Sequence, residues 1–210
     1  MRNIYFKGNY VSDEQLIKRE SIPDNATEFG IVSDLRSEMV RGFLMMLPLI
    51  VVMILLTYFK IKNVDYHLTM NIHLIAAFFA LIISEKILTL AHEVIHACFY
   101  PADRVKEIWK SNEQGAYFVY CEEAIDRNRF ILLCLAPMFI LGIIPFIIWL
   151  LIPHVIPMPY DVATAILFWM MTVMSIGDVA NVYHVLKDVP KGKMVFNHGL
   201  LRSFYIDRIE

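Results

Sequence analysis

Charged residues are scarce in this chain, and no excess of positive charge is present. Only 19% of the 210 residues are Asp, Glu, Lys or Arg, whereas 58% are hydrophobic. This balance lies outside the composition of ordinary soluble domains and predicts a membrane protein. The formal net charge is −2, so nothing in the composition indicates nucleic acid as a partner.

Cysteines and internal repeats are also lacking. The three cysteines, Cys98, Cys121 and Cys134, are too few and too scattered for a disulfide framework, so we expect reduced thiols. Residues 1–41 lack the apolar core and the small-residue cleavage site of a signal peptide. No repeat is visible, which argues against a transporter built from inverted repeats.

Long apolar runs are what the chain does contain. Each of four runs is long enough for a membrane-spanning helix, and they cover residues 42–59, 72–100, 130–152 and 162–186. The fold class predicted from them is an all-α membrane protein with four transmembrane helices.

Polar segments flank and interrupt these runs. Residues 1–41 form a polar arm, for which short surface helices are one interpretation, and residues 187–210 form a polar tail. Between the second and third runs, the pattern of residues 105–121 predicts a short β-hairpin.

The basic residues predict the orientation in the membrane. The arm carries six Lys or Arg, the connection after the second helix five and the tail five. The other two loops carry two and none. Because basic residues accumulate in cytoplasmic loops, we expect a multi-pass cell-membrane protein with a cytoplasmic arm, hairpin and tail.

The end of the second apolar run contains a His-Glu-x-x-His motif, formed by His92, Glu93 and His96. Two histidines four residues apart share one face of a helix and can hold one zinc ion. Glu93 lies about 60° around the helix from His96, where its carboxylate can take a proton from zinc-bound water. Such spacings occur by chance, but three ionisable groups in an apolar helix are costly and predict a functional site.

Asp178 is the candidate for a third zinc ligand. A charged carboxylate in an apolar helix is energetically costly, and a bound cation offsets that cost. The second and fourth runs are both predicted to end at the cytoplasmic side. His92 and His96 lie eight and four residues before the end of the second run, and Asp178 lies eight residues before the end of the fourth. The three groups are therefore predicted at similar depth, near the cytoplasmic side, as ligands of one Zn²⁺.

Other polar residues near the motifs leave alternatives open. Asn181 shares the face of Asp178 and either acts in catalysis, orienting water or stabilising an oxyanion, or bonds to a neighbouring helix. His184 lies about 240° from Asp178 on an ideal helix and is not expected to be a ligand. Glu85 and Lys86 form either a polar track for water or protons, or a charged pair inside the bundle.

Together these motifs resemble those of the site-2 protease group of intramembrane metalloproteases. They resemble still more a bacterial family of zincin membrane peptidases. Besides the His-Glu-x-x-His helix, the shared features are Ala136-Pro137 in the next helix and Gly177-Asp178-x-x-Asn181 in the last. Site-2 proteases usually carry an Asn-Pro-Asp-Gly type sequence around the third ligand, from which Gly177-Asp178-Val179 departs.

The resemblance implies a four-helix metalloprotease-like domain over residues 42–186 and assigns roles within it. Zinc would be held by His92, His96 and Asp178, with Glu93 as the base. The function predicted is a zinc-dependent, membrane-embedded metallopeptidase that hydrolyses peptide bonds of membrane-associated substrates, with membrane proteins or peptides and the lipid bilayer as its partners.

Two other functions remain open from the sequence. One is a non-catalytic membrane protein whose zinc is structural or sensory, and the other is an ion or proton transporter. The hairpin is also open to two interpretations. It either offers an edge strand to an extended peptide, or its aromatic residues Trp109, Tyr117 and Tyr120 seat it in the headgroup layer.

Overall fold

The computed structural model describes residues 3–18, 21–30, 35–62, 72–112, 115–153 and 156–208. The helices are α1 Leu35–Ile61, α2 Ile72–Phe99, α3 Arg127–Pro137, α4 Ile144–Leu151, α5 Met158–Met174 and α6 Ile176–Asp188. The strands are β1 Ile4–Tyr10, β2 Thr27–Phe29, β3 Lys106–Ser111, β4 Ala116–Tyr120, β5 Ile125–Asp126, β6 Met194–Asn197 and β7 Ser203–Ile206.

In the part of the chain that the structure describes, four helical segments are long and apolar enough to cross a membrane, which indicates a multi-pass membrane protein. They are Arg36–Ile61, Ile72–Phe99, Arg127–Leu151 and Met158–Asp188. Many large apolar side chains of α1 and α2 are exposed, as expected for helices that face lipid. Several of these helices are longer than the apolar runs identified in the sequence. Helical hydrogen bonding continues into polar residues, which a search for apolar runs leaves out.

Neither of the last two spans is a single regular helix. Pro137 and Pro145 lack the N–H that an α-helix requires, and the stretch Met138–Ile143 between α3 and α4 is π-helical. The last span breaks at Ser175, whose φ of −79° and ψ of 14° separate α5 from α6. This break places Asp178 in the first turn of α6.

Among the described residues, seven strands form two sheets, so the expectation of an all-α chain was wrong in this respect. One sheet has the order β1-β3-β4, with β1 parallel to β3 and β3 antiparallel to β4, as predicted for the hairpin. The other is antiparallel with the order β2-β7-β6-β5. The arm, for which surface helices were one interpretation, supplies β1 and β2, and the tail supplies β6 and β7. Most of these strands contain strand-favouring residues, but the partners of β1 and β2 are distant in sequence, so local sequence carries no signal for their pairing.

The two sheets connect the arm, the hairpin and the tail at one end of the helix bundle. Glu107 of β3 is buried and forms ion pairs with Lys18 and Lys7 of the arm. Burial alone would raise the pKa of Glu107, but the hydrogen bond and charge of Lys18 hold that pKa below its usual value. Beside the other sheet, Arg127 follows β5 at the start of α3, and its guanidinium donates to the carbonyl oxygen of Val189, just past the end of α6, at 2.9 Å.

Glycine allows α1 and α6 to approach closely. A Cβ atom added at Gly42 would lie only 2.2 Å from the carbonyl oxygen of Ile176. Small residues at such crossings let helix backbones come together in membranes. The contact lies two residues before Asp178 and therefore helps to fix the position of that carboxylate.

We expect Gly42→Ala to lower the thermal stability of the protein in detergent. The added methyl group cannot fit against the Ile176 carbonyl, so α1 must shift, at a cost of about 1–3 kcal/mol. Thermal unfolding followed by circular dichroism measures the change. Val40→Ala is the matched control, since the Val40 side chain is 52% exposed. Equal melting temperatures for Gly42→Ala and the unmodified protein would show that this contact is not tight.

Candidate metal centre

Two imidazole rings and one carboxylate converge between α2 and α6. The Nε2 atoms of His92 and His96 lie 3.1 Å apart, and both rings are buried. The Asp178 carboxylate lies 3.3 Å from His92 Nε2 through Oδ2 and 3.4 Å from His96 Nε2 through Oδ1. The structure thus brings together the three residues that the sequence predicted as ligands, with one ligand atom of each within 4.8 Å of the others.

These separations fit the edges of a small coordination polyhedron. Zinc binds imidazole nitrogen and carboxylate oxygen at about 2.0–2.2 Å, usually in a tetrahedron. Ligand atoms at the corners of such a tetrahedron are about 3.3–3.5 Å apart, which follows from the same bond lengths. The two imidazole nitrogens lie 3.1 Å apart, and each lies 3.3–3.4 Å from a different oxygen of the Asp178 carboxylate, so the three groups are spaced about as zinc ligands are.

The tautomer of His96 provides a second test of fit. Its Nδ1 atom lies 2.9 Å from the carbonyl oxygen of Leu133, on α3. Because a carbonyl oxygen can only accept, Nδ1 carries a proton, and in the neutral ring Nε2 then presents a lone pair. That lone pair faces the Asp178 carboxylate and the His92 ring, an arrangement that a bound cation stabilises. A ligating histidine whose other nitrogen donates to a carbonyl is also typical of metal sites.

Glu93 lies beside this group. Its side chain is only 8% exposed and lines the same cavity as the two histidines and Asp178. The carboxylate accepts a hydrogen bond from the backbone N–H of Val119, on β4. The motif helix and the hairpin strand are therefore connected directly at this carboxylate.

The cavity around these groups has a volume of about 300 Å³. Its walls come mainly from α2, α3 and α6, from the whole of β4, and from the end of β6 with the loop that follows it. Asn197 of β6 and the loop residues Gly199 and Leu200 were missed by the sequence reasoning. Nothing local marks them, since their position depends on strand pairing far along the chain. A larger cavity, of about 460 Å³ between α1, α2 and α5, is lined only by apolar residues and proline.

The remaining candidate residues occupy different surroundings. Asn181 is exposed and lines the cavity, one turn after Asp178. His184 lies outside the metal-binding group, because its Nε2 atom is 2.7 Å from the Glu38 carboxylate and 2.8 Å from Arg41, both on α1.

Glu85 is connected to the cavity through one hydroxyl group. Thr89 lines the cavity, and its Oγ1 lies 3.2 Å from Oε1 of Glu85 and 2.9 Å from the Glu85 backbone carbonyl. Lys86 is exposed on the helix surface. This arrangement favours a polar extension of the cavity over a pair formed by Glu85 and Lys86.

The comparison with known protein families agrees with this geometry. Residues 86–194, just over half of the chain, match the model of a family described as "Putative zincin peptidase". The matched range contains the two histidines, Glu93 and Asp178. No curated protein and no solved structure matches the chain. The family match nevertheless covers enough of the sequence for a plain conclusion: the chain belongs to this zincin peptidase family, whose description implies zinc.

Proposed function

We propose that this protein is a zinc-dependent, membrane-embedded metallopeptidase that hydrolyses peptide bonds of membrane-associated substrates. The observation that carries the proposal is the convergence of two imidazole nitrogens and one carboxylate beside a second, buried carboxylate. The family match supports zinc and peptidase chemistry. The four apolar spans support an active site within or at the membrane.

His92, His96 and Asp178 would hold the zinc ion. Among the described residues, no fourth His, Cys, Asp or Glu joins this group. Three protein ligands are typical of catalytic zinc sites, whereas structural sites are usually closed by four. This difference favours an enzyme over a protein whose zinc is structural or sensory. When bound, zinc supplies Lewis-acid chemistry, which polarises the scissile carbonyl and makes water more acidic.

Glu93 would act as the general base and then as the general acid. It accepts a proton from the attacking water and returns that proton to the nitrogen of the leaving amine. The hydrogen bond from the Val119 N–H holds the carboxylate beside the metal ligands rather than among them. Asn181, at the cavity wall, would donate an amide hydrogen bond to the carbonyl oxygen of the peptide as negative charge develops there.

Among the described strands, β4 pairs only with β3, and its other edge, which faces Glu93, would bind the substrate backbone. One side of β4 pairs with β3, while the Val119 N–H on its other side points to Glu93. In an antiparallel strand, alternate residues direct their N–H and C=O groups to the same side, so those of Tyr117 face the cavity as well. An extended peptide could therefore join the sheet as a further strand, with its backbone running past Glu93.

Trp109 argues against a purely interfacial role for the hairpin. Its side chain is 7% exposed and packs against Leu16 of the arm and Tyr120 of β4. A tryptophan that anchors a loop in the headgroup layer keeps its polar edge at the membrane surface. Here the indole Nε1 donates to Glu107 within the protein, at 3.2 Å.

The orientation predicted from the basic residues is part of the proposal. The pairing of β2 with β7 and of β1 with β3 keeps the arm, the hairpin and the tail at one end of the bundle. The end of α2 and the metal ligands lie at this same end. We propose that this end is cytoplasmic, because the basic residues are concentrated in those three segments.

Removing either kind of ligand should abolish zinc binding. His92→Ala and Asp178→Ala are expected to reduce zinc from about one ion per chain to a small fraction, because two remaining ligands hold the ion weakly. Elemental analysis of the protein purified in detergent measures the content. His73→Ala is the matched control, since His73 is an exposed histidine on the same helix. Full zinc content in both ligand variants would place the metal elsewhere.

Removing the base should separate metal binding from catalysis. Glu93→Gln is expected to keep its zinc while peptide hydrolysis falls at least about 100-fold, since the amide cannot accept a proton from water. Initial rates with a peptide library, together with zinc content, test this. Glu14→Gln, at an exposed position of the arm away from the cavity, is the control and should cleave at the unmodified rate. Undiminished cleavage by zinc-loaded Glu93→Gln would exclude the assigned mechanism.

A further inference from the structure

The loop between β6 and β7, residues 198–202, covers one side of the catalytic cavity. It follows the last residue of the family match, which ends at residue 194. Together with Asn197 at the end of β6, its residues Gly199 and Leu200 line the cavity that contains the metal ligands and the edge of β4 that faces Glu93. The loop thus belongs to the site by position, although the family model does not include it.

Tyr120 attaches this loop to the end of β4. Its hydroxyl donates to the carbonyl oxygen of Asn197 at 3.4 Å and accepts from the N–H of Gly199 at 3.3 Å. Burial raises the pKa of Tyr120 to about 12, so the hydroxyl remains protonated and able to donate at neutral pH. The loop and the proposed substrate strand are therefore held in a fixed relation.

Asp13 of the arm fixes the backbone of the loop. Its Oδ1 atom accepts hydrogen bonds from the N–H of Leu200 at 2.9 Å and from the hydroxyl of Tyr10 at 2.8 Å. Gly199 has a φ of +83°, and a Cβ atom there would lie 2.5 Å from Oδ2 of Asp13. Only glycine allows this close approach without strain. The conformation that presents Leu200 to the cavity thus depends on a carboxylate near the start of the chain.

Leu200 is the loop residue with an apolar side chain at the cavity. It packs against the cluster of Leu16, Trp109 and Tyr120, and it also borders an adjoining cavity of about 180 Å³. Leu201 lines only that second cavity and is 47% exposed. The two neighbouring leucines therefore differ in whether they face the metal centre.

We propose that the β6–β7 loop is the second wall of the substrate site, and that Leu200 determines the size of the apolar side chain accepted next to the scissile bond. This inference rests on the proposed peptidase function. Side chains of an extended peptide alternate between the two faces of the sheet that it joins. A peptide on the edge of β4 has the loop beside it, so one of its side chains meets Leu200. Asp13 acts as a positioning residue through the loop backbone.

A cleavage profile tests this assignment directly. The zinc-loaded, full-length protein in detergent is incubated with a randomised decapeptide library, and mass spectrometry identifies the cleaved bonds. Leu200→Ala should increase, by about tenfold, the preference for large over small apolar residues at one position beside the cleaved bond. Leu200→Phe should shift the same preference in the opposite direction. Leu201→Ala, the matched control, should leave the profile unchanged.

A binding measurement gives a readout that does not require catalysis. Immobilised Glu93→Gln protein, loaded with zinc, retains peptides from the same library, and these are sequenced with and without Leu200→Ala. The composition of the retained peptides should shift as in the cleavage profile. Unchanged profiles for both Leu200 variants, at full zinc content, would overturn the inference. If the unmodified, zinc-loaded protein cleaves no peptide at all, the proposed function is contradicted instead. The peptides retained by the immobilised protein would still decide the role of Leu200.

Discussion

The structure depends on holding three electron-rich groups close together in an apolar interior. Two imidazole nitrogens and a carboxylate lie 3.1–3.4 Å from one another, and a proton on Nδ1 of His96 leaves its Nε2 lone pair facing the other two. In a medium of low dielectric constant, such a group is stabilised by a positive charge between its members, which a bound cation supplies. Several features of the helices serve this convergence. The break at Ser175 starts α6 just before Asp178, and Gly42 allows α1 to press against the same turn.

The sheet of β1, β3 and β4 connects the candidate metal centre to the edge on which a peptide substrate would bind. The backbone N–H of Val119 on β4 donates to the Glu93 carboxylate, which connects the proposed base to the edge that would bind substrate. The neighbouring strand β3 is in turn attached to the arm through β1 and through the ion pairs of Glu107. Elements outside the membrane spans therefore set the geometry at the end of a membrane helix.

Much of the fold and of the candidate site, but not all of it, could be predicted from local sequence. The spacing of His92, Glu93 and His96 predicted a shared helix face, and equal depth in two helices pointed to Asp178; the structure brings these residues together. The four spans and the hairpin were equally visible, because hydropathy and strand propensity are local properties. The roles assigned to the four site residues stay predictions.

What the sequence did not show depends on contacts between distant segments. The strands β1 and β2 are stabilised by partners in β3 and β7, so no periodicity in the arm reveals their pairing, although β1 begins with the strand-favouring residues Ile4, Tyr5 and Phe6. The lining of the cavity by Leu200 follows from a hydrogen bond to Asp13, almost the whole chain away. The break at Ser175 was likewise hidden, since the apolar run continues through it.

The pairing of β2 with β7 has a consequence for the order of assembly during biosynthesis. The ribosome produces β2 before any membrane span and β7 after the last, so β2 must wait for its partner until every described helix has been made. The cavity wall between β6 and β7 also emerges late. Helix insertion and enclosure of the cavity are thus separate events in time, and a nascent chain halted before β7 would carry His92, His96 and Asp178 without the wall that encloses them.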